Sequence, residues 1–191
     1  FIEGTETKKI VDKVNSDTNL EQNSEPITME NVMKVVGAPE NTHPEGQFAP
    51  DTFVFAAGSS ANSILKQSYN EQQKRLKKVW NSHDPSIAVK NPYELLILAS
   101  IIEKETGHPE DRNLVASVFN NRLKKNMLLQ TDPTVIYGTK DYQGKILRSH
   151  LAADHPYNTY IHPGLPPTPI ANPSLASLEA AAHPADTKYL Y

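Results

Sequence analysis

No cysteine occurs anywhere in the chain, which removes disulfides, thiolate nucleophiles and cysteine-based zinc sites from consideration. Equally missing is any apolar run approaching the roughly 18 residues that a membrane span requires, or a basic-then-apolar signal pattern at the N-terminus. There is no excess of positive charge: the formal net charge is -3, so the basic face needed to hold a phosphate backbone is not expected, and nucleic acid is not an expected partner. Seven histidines are present, but they form no His-Glu-x-x-His, and His150, His155, His162 and His183 are scattered through loop-like sequence. No metal and no other cofactor is expected. Gly58-Ser59-Ser60 is not a nucleophile elbow, and phosphate-cradling glycine loops are lacking.

What remains is the composition of a folded domain. Hydrophobic residues make up 38% and charged residues 21% of 191 residues, and 15 prolines point to extensive turn and loop structure. That length suits one full domain plus a smaller appendage. The chain opens abruptly at Phe1-Ile2-Glu3-Gly4 and stops at Tyr189-Leu190-Tyr191 without a closing cap, so an excised fragment is expected, with any targeting segment outside it. A Gly-, Pro-, Asn- and His-rich stretch from Gly37 to Pro50 separates an N-terminal appendage, residues 1–50, from a main domain, residues 51–191.

Helix signals dominate. Thr5 and Thr28 are placed to cap helices through Ile10, Val11 and Val14 and through Val32, Met33 and Val36. Thr52-Phe53-Val54-Phe55 is a short β-prone run. Residues 60 to 80 read as a long amphipathic helix whose basic run, Lys74, Arg75, Lys77 and Lys78, is expected to be a solvated face rather than a binding patch. Asn91-Pro92-Tyr93-Glu94 combines an N-cap, a first-turn proline and a capping-box glutamate, and Gly107 supplies the stop. A further helix is expected over residues 110 to 125, burying Leu114, Val115, Val118, Phe119 and Leu123, with a short one from Asp132 to Gly138 and another from Asn172-Pro173 to Ala182. Beyond Lys140 the intervening chain reads as loop.

The most apolar helix ends in Glu103-Lys104-Glu105-Thr106. At about 100° per residue its two glutamates point in nearly opposite directions. With Leu95 at 0°, the apolar face centres near about 300° and Glu105 falls inside it at about 280°, while Glu103, near about 80°, shares a flank with Ser100 and Lys104. Glu103 is therefore expected to be the more solvated. A carboxylate on an apolar face either finds a donor or stays protonated to a higher pH, as a general acid must. The plainer alternative is a helix-terminal glutamate paired with Arg112 or Arg122. Gln130-Thr131-Asp132-Pro133 and Tyr157-Asn158-Thr159-Tyr160 mix hydrogen-bonding and aromatic groups that suit sugar rings. Each also has a structural explanation: an N-cap for Asp132, and loop anchoring for Tyr157 and Tyr160.

The runs from Ala99 to Thr106, Val115 to Leu123 and Leu129 to Gly138 resemble the YceG-like endolytic murein transglycosylases, the MltG family. The resemblance continues in order through Tyr157-Asn158-Thr159-Tyr160, Gly164-Leu165-Pro166-Pro167, Ile170-Ala171-Asn172-Pro173 and Ala180 to Ala185. It implies an α+β, mainly α fold: a lysozyme-like catalytic domain, truncated at its C-terminus, behind the remnant of a LysM-like appendage. It further implies a carbon–oxygen lyase that cuts peptidoglycan glycan strands internally, with Glu105 as acid and then base. The protein would work outside the cytoplasmic membrane and be held there by a single span absent from this chain, with peptidoglycan synthases as candidate partners. By resemblance and chemistry, Thr106, Gln130, Thr131, Asp132, Tyr137, Asn158 and Tyr160 are the candidates for holding substrate, and Glu103, Asn120 and Arg122 the candidates for support.

A lytic transglycosylase needs one carboxylate, whereas a hydrolysing muramidase needs two flanking the bond. Glu45, Glu103 and Asp132 are the candidates for the second. A glycan-binding module without turnover is the remaining alternative.

Overall fold

The computed structural model describes residues 1–52 and 55–191. Among them the regular elements are helical: α1 (Thr7–Ser16), α2 (Val32–Val35), α3 (Ala61–Asn81), α4 (Pro92–Glu105), a 3₁₀ turn (Pro109–Asp111), α5 (Arg112–Lys124), α6 (Asp132–Gly138), α7 (Arg148–Ala152) and α8 (Leu175–Ala182). Extended pairing among the described residues is a single parallel bridge between Glu21 and Ser60. The β-prone run at Thr52-Phe53-Val54-Phe55 includes residues 53 and 54, which lie outside the described residues. The mainly α expectation therefore holds.

Helix α4 forms the centre of the larger core. It starts where the capping signals place it: Asn91 Oδ1 accepts from the Glu94 amide at 2.9 Å, with Pro92 at the first helical position. The return half of the capping box is displaced by one residue, since Glu94 Oε1 accepts from the amide of Lys90 at 2.9 Å rather than from that of Asn91. All eight residues from Leu95 to Ile102 are buried, at about 1.5–3 kcal/mol for each large apolar side chain. Because α3, α5, α6 and α8 surround it, α4 has no solvated flank before its last turn, which corrects the one-faced reading. Ser100, assigned to the polar flank, is fully buried; its hydroxyl donates to Ile97 O at 2.6 Å and accepts from Ile170 N at 3.0 Å.

Helix α3 joins two cores. Ser60 Oγ caps it, accepting from Ser63 N at 3.1 Å. Its first half, Ala61, Ile64, Leu65 and Tyr69, packs with Ile10, Val11, Val14, Val32 and Phe48, so this cluster runs across residue 50. Leu76 and Val79 from its second half join the core around α4. Between the two, the buried Gln72 amide donates to Gly46 O at 3.0 Å and Pro173 O at 3.3 Å.

Helix α5 begins at Arg112 rather than Glu110, because the 3₁₀ turn precedes it. The buried face is also rotated from the expected one. Leu114 is 43% exposed, whereas Ala116, Ser117 and Asn120 are buried. The cause is the C-terminal segment, which lies along this helix. Ser117 and Thr187 hydroxyls meet at 2.7 Å, and the Asn121 amide donates to the carbonyls of Thr187 at 2.8 Å and Tyr189 at 3.0 Å. The buried Ser117 hydroxyl is thus satisfied by that of Thr187, and the half-buried Asn121 amide by two backbone carbonyls.

Candidate functional site

The last turn of α4 emerges from the core with its two glutamates on opposite sides, as the helical arithmetic requires. Their exposure is the reverse of the expectation. Glu103 is half-buried: its Oε1 accepts from Ser174 N at 2.7 Å and Ser177 Oγ at 3.2 Å, at the start of α8. A carboxylate suits that place, where amides at a helix N-terminus lack intrahelical partners. Glu105 is exposed. It closes the helix beyond the reach of α8, so the apolar stripe that nominated it is no longer covered at that depth.

What Glu105 does have is one aimed donor. The Thr131 hydroxyl donates to Glu105 Oε2 at 2.6 Å, and Oε1 has no hydrogen-bond partner among the described residues. Thr131 is 2% exposed and is itself fixed from three directions. Its amide donates to Thr159 Oγ1 at 3.0 Å, its carbonyl accepts from Thr134 Oγ1 at 2.9 Å, and the Thr134 and Thr159 hydroxyls meet at 2.9 Å. These three threonines form a buried polar floor beneath Glu105. Sequence reasoning placed Thr131 among the substrate-binding residues and did not single out Thr134; the run Thr131-Asp132-Pro133-Thr134, with hydroxyls three residues apart at a helix start, was the available signal.

Thr106 is occupied elsewhere. Its hydroxyl donates to Ile102 O at 2.7 Å and finishes α4, without a bond to Glu105. The helix ends there because Thr106 is extended (φ -78°, ψ 113°), with no left-handed glycine involved.

Around Glu105 lies a cavity of about 230 Å³ whose lining includes Val118, Phe119, Arg122, Leu129, Gln130 and Thr131. Gln130 is exposed, with a left-handed backbone (φ 51°) held by its amide bond to Thr159 O at 3.2 Å. Arg122 does not pair with Glu105. Its guanidinium donates to Leu129 O at 2.5 Å and Leu190 O at 2.7 Å, and it lies 5.5 Å from the centre of the Tyr191 ring. It thereby joins the two segments that border the cavity. Arg112, the other expected partner, has no ion pair with Glu105 either.

Tyr160 and Asp132 form a further polar pair within the electrostatic reach of Glu105. The phenol donates to Asp132 Oδ1 at 2.5 Å. Burial, and then the bond to Asp132, push the Tyr160 hydroxyl up to about 12, with the Glu105 charge adding to the rise and that of Arg122 opposing it. Tyr160 thus shares its electrostatic surroundings with both residues. Asp132 is the first residue of α6, and Thr131 takes the cap position.

Three other expected site residues are placed as scaffolding. Asn158 is fully buried; its amide donates to Leu151 O at 2.9 Å and Ala153 O at 2.8 Å, and its Oδ1 accepts from Tyr160 N at 3.0 Å. It shapes the loop that carries Tyr160 and has no hydrogen-bonding atom left for a sugar. Asn120, 5% exposed, accepts from Ala88 N at 2.8 Å. Tyr137 donates to Glu45 Oε2 at 2.9 Å, and burial followed by the Glu45 charge holds its phenol protonated far above the usual range. Glu45 is 1% exposed and also accepts from Thr7 N at 2.8 Å and Thr7 Oγ1 at 3.1 Å, tying α1 to α6. Burial raises its pKa.

The fold and site define a mainly helical domain that presents one exposed glutamate at the end of a buried helix, over a floor of threonine hydroxyls. The chain belongs to the YceG-like family, whose model matches residues 1–191. It is 41% identical over 150 residues to an endolytic murein transglycosylase of Bacillus subtilis strain 168, an alignment covering 78% of this chain and 41% of that protein. An endolytic murein transglycosylase of Streptococcus pneumoniae strain D39 is 31% identical over 156 residues, covering 77% of this chain and 27% of that one. The chain thus spans less than half the length of either relative. A crystal structure of a YceG-like protein from Listeria monocytogenes matches with a TM-score of 0.71 and 31% identity, over all of this chain and 68% of that one.

Proposed function

We propose that this chain carries the cleaving site of an endolytic peptidoglycan lytic transglycosylase, with Glu105 as its single acid and base. The observation that carries the reading is the state of Glu105: one oxygen held by the Thr131 hydroxyl at 2.6 Å, the other unpartnered among the described residues, at the edge of a cavity. In this reading protonated Glu105 gives its proton to the glycosidic oxygen leaving N-acetylmuramic acid. The resulting carboxylate takes the proton of the C6 hydroxyl of the same sugar as that oxygen attacks C1 and closes a 1,6-anhydro ring. Intramolecular attack gains from effective concentration and consumes no water.

Thr131 is the positioning residue for Glu105, and its bond strengthens as the carboxylate forms, which favours the transition state over the ground state. Gln130 and Tyr160 hold the sugar, Asp132 orients the Tyr160 phenol, and Arg122 fixes the borders of the cavity. Asn158 and Asn120 shape the loops behind. Glu105 is exposed in the protein alone, so the desolvation that favours a protonated acid is supplied by the bound glycan.

The three carboxylates considered for a hydrolase are engaged elsewhere: Glu45 by Thr7 and Tyr137, Glu103 by Ser174 and Ser177, and Asp132 by Tyr160. That supports the one-carboxylate route. The same reading assigns residues 51–191 to a lysozyme-like catalytic unit and residues 1–50 to the tail of a LysM-like appendage. It places the site on the outer side of the cytoplasmic membrane, beside the synthases that make the strands. No helix among the described residues is long and apolar enough to cross a membrane, so membrane attachment would lie in another segment.

The test is mass spectrometry of purified peptidoglycan treated with the chain and with Glu105→Gln. Anhydro-ended fragments that vanish in the variant are expected. Reducing ends would overturn the mechanism in favour of hydrolysis, and binding without any product would favour a glycan-binding module.

A further inference from the structure

The basic run on α3 contains residues with different fates. Arg75 is paired with Asp51 at 2.7 Å and Glu71 at 3.3 Å, and Lys74 and Lys77 are exposed on the outer face. Lys78 instead lines a cavity of about 360 Å³ between α3, α5 and α8, together with Ser82, Arg112, Asn113, Glu179 and His183. Lys78, Arg112 and Glu179 take part in none of the ion pairs among the described residues. The Arg112 Nε is buried and has no hydrogen-bond partner. A buried guanidinium N–H without an acceptor is costly, and Arg112 lines, together with Lys78, the same cavity. The walls are held in place: the Asn113 amide donates to His183 O at 3.2 Å, and the Ser82 hydroxyl lies 3.5 Å from His183 Nε2.

We infer that this cavity is a second recognition site, for the peptide branch of the polymer whose glycan is cut at Glu105. The inference rests on the function proposed above. Two cations call for an anion, and guanidinium is well matched to a planar carboxylate. Glu179 in the same wall disfavours a phosphate, which offers only acceptors and negative charge, and favours a ligand that also carries N–H donors. A peptide with a free carboxylate and nearby amide or ammonium groups meets both conditions. Arg112 opens the same helix that carries Phe119 and Arg122 into the cavity beside Glu105. Ten residues of α-helix separate Arg112 from Arg122, about 15 Å, a span that a branch of a few residues can bridge.

The experiment is a heteronuclear NMR titration of the whole chain with three probes: a synthetic stem pentapeptide ending in D-Ala-D-Ala, its C-terminal amide, and inorganic phosphate. Shifts at residues 78–83, 111–114 and 179–183 are expected with the free acid. Arg112→Gln is expected to weaken binding about tenfold, the worth of one charge-assisted pair, and the C-terminal amide to weaken it comparably. Glu105→Gln is expected to leave peptide binding unchanged. No shifts at these residues, or unchanged affinity in an Arg112→Gln protein whose spectrum is otherwise native, would overturn the inference. Phosphate binding as tightly as the peptide would overturn the choice of ligand. Should the spectrum show Arg112→Gln to be misfolded, Lys78→Gln on the exposed helix face decides in its place. Cleavage of peptide-stripped glycan strands is read separately and is expected to persist in Arg112→Gln. Its absence from the unaltered chain would count against the proposed function, while peptide binding measured by the titration would still stand.

Discussion

Replacing Thr131 by valine tests whether Glu105 is positioned by its neighbour or merely lies beside it. Valine matches the shape of threonine but removes the hydroxyl whose 2.6 Å bond is the single one made to the Glu105 carboxylate among the described residues. The backbone bonds of Thr131 to Thr159 Oγ1 and from Thr134 Oγ1 do not depend on its side chain, so the floor should persist and the melting temperature stay close to that of the unaltered chain. A hydrogen bond to a charged group is worth about 1.5–3 kcal/mol. In the proposed mechanism the bond tightens as Glu105 surrenders its proton, so most of that value should fall on kcat, a loss of roughly ten- to hundredfold. The assay is the rate of anhydro-ended product from purified glycan, with KM measured alongside, and Thr131→Ser should fall between valine and threonine. Unchanged kcat in the valine variant, or a loss confined to KM, would refute the positioning role.

Other consequences follow from separate contacts. Glu103→Ala removes the acceptor at the start of α8 and should lower stability by about 1–2 kcal/mol in denaturant unfolding, with the anhydro product still formed. Gly138→Ala should destabilise by about 1–3 kcal/mol, since a Cβ there would stand 2.5 Å from His155 Cε1 and 2.8 Å from Tyr157 Cβ; an unaltered melting curve would show that loop to be loose. Tyr160 titrates late because burial and then Asp132 raise it to about 12. The folded state therefore keeps a proton that the unfolded chain loses near pH 10, and the Tyr160 share of stability, fully present below about pH 10, should fall as pH rises toward 12. Comparing alkaline unfolding of the chain with that of Tyr160→Phe measures this share. Asp132→Asn should lower the Tyr160 pKa only partly, because burial is the larger cause, as ultraviolet titration of the phenol would report.

The sequence was informative where local chemistry decides. Asn91 caps its helix through its own side chain, as the sequence predicts, whereas α1 starts after Glu6 without a side-chain cap from Thr5. The sequence failed where a segment remote in sequence decides. Angular spacing assigns α4 one apolar face, but α8, more than seventy residues downstream, covers the other side and takes Glu103 for its own N-terminus. Leu114 is exposed because a C-terminal segment claims the polar face of α5. Asn158 looked like a sugar ligand because an asparagine amide serves a loop carbonyl as well as a hydroxyl, and periodicity cannot tell the two apart. Glu105 itself was nominated by an apolar helix face; it is exposed in three dimensions, although Val118, Phe119 and Leu129 line the cavity beside it, and what commends it there is the Thr131 hydroxyl.

Under the proposed function, building that floor from threonines has a consequence for how ready Glu105 is before a glycan arrives. A threonine is β-branched and holds few χ1 rotamers, and the backbone of Thr131 is held by the buried hydroxyls of Thr134 and Thr159. A free glutamate on a surface samples many rotamers, and ordering it costs up to about 2 kcal/mol. Here a stiff donor selects among them in advance, so the ordering is completed when the chain folds and is not repeated at each encounter with a strand.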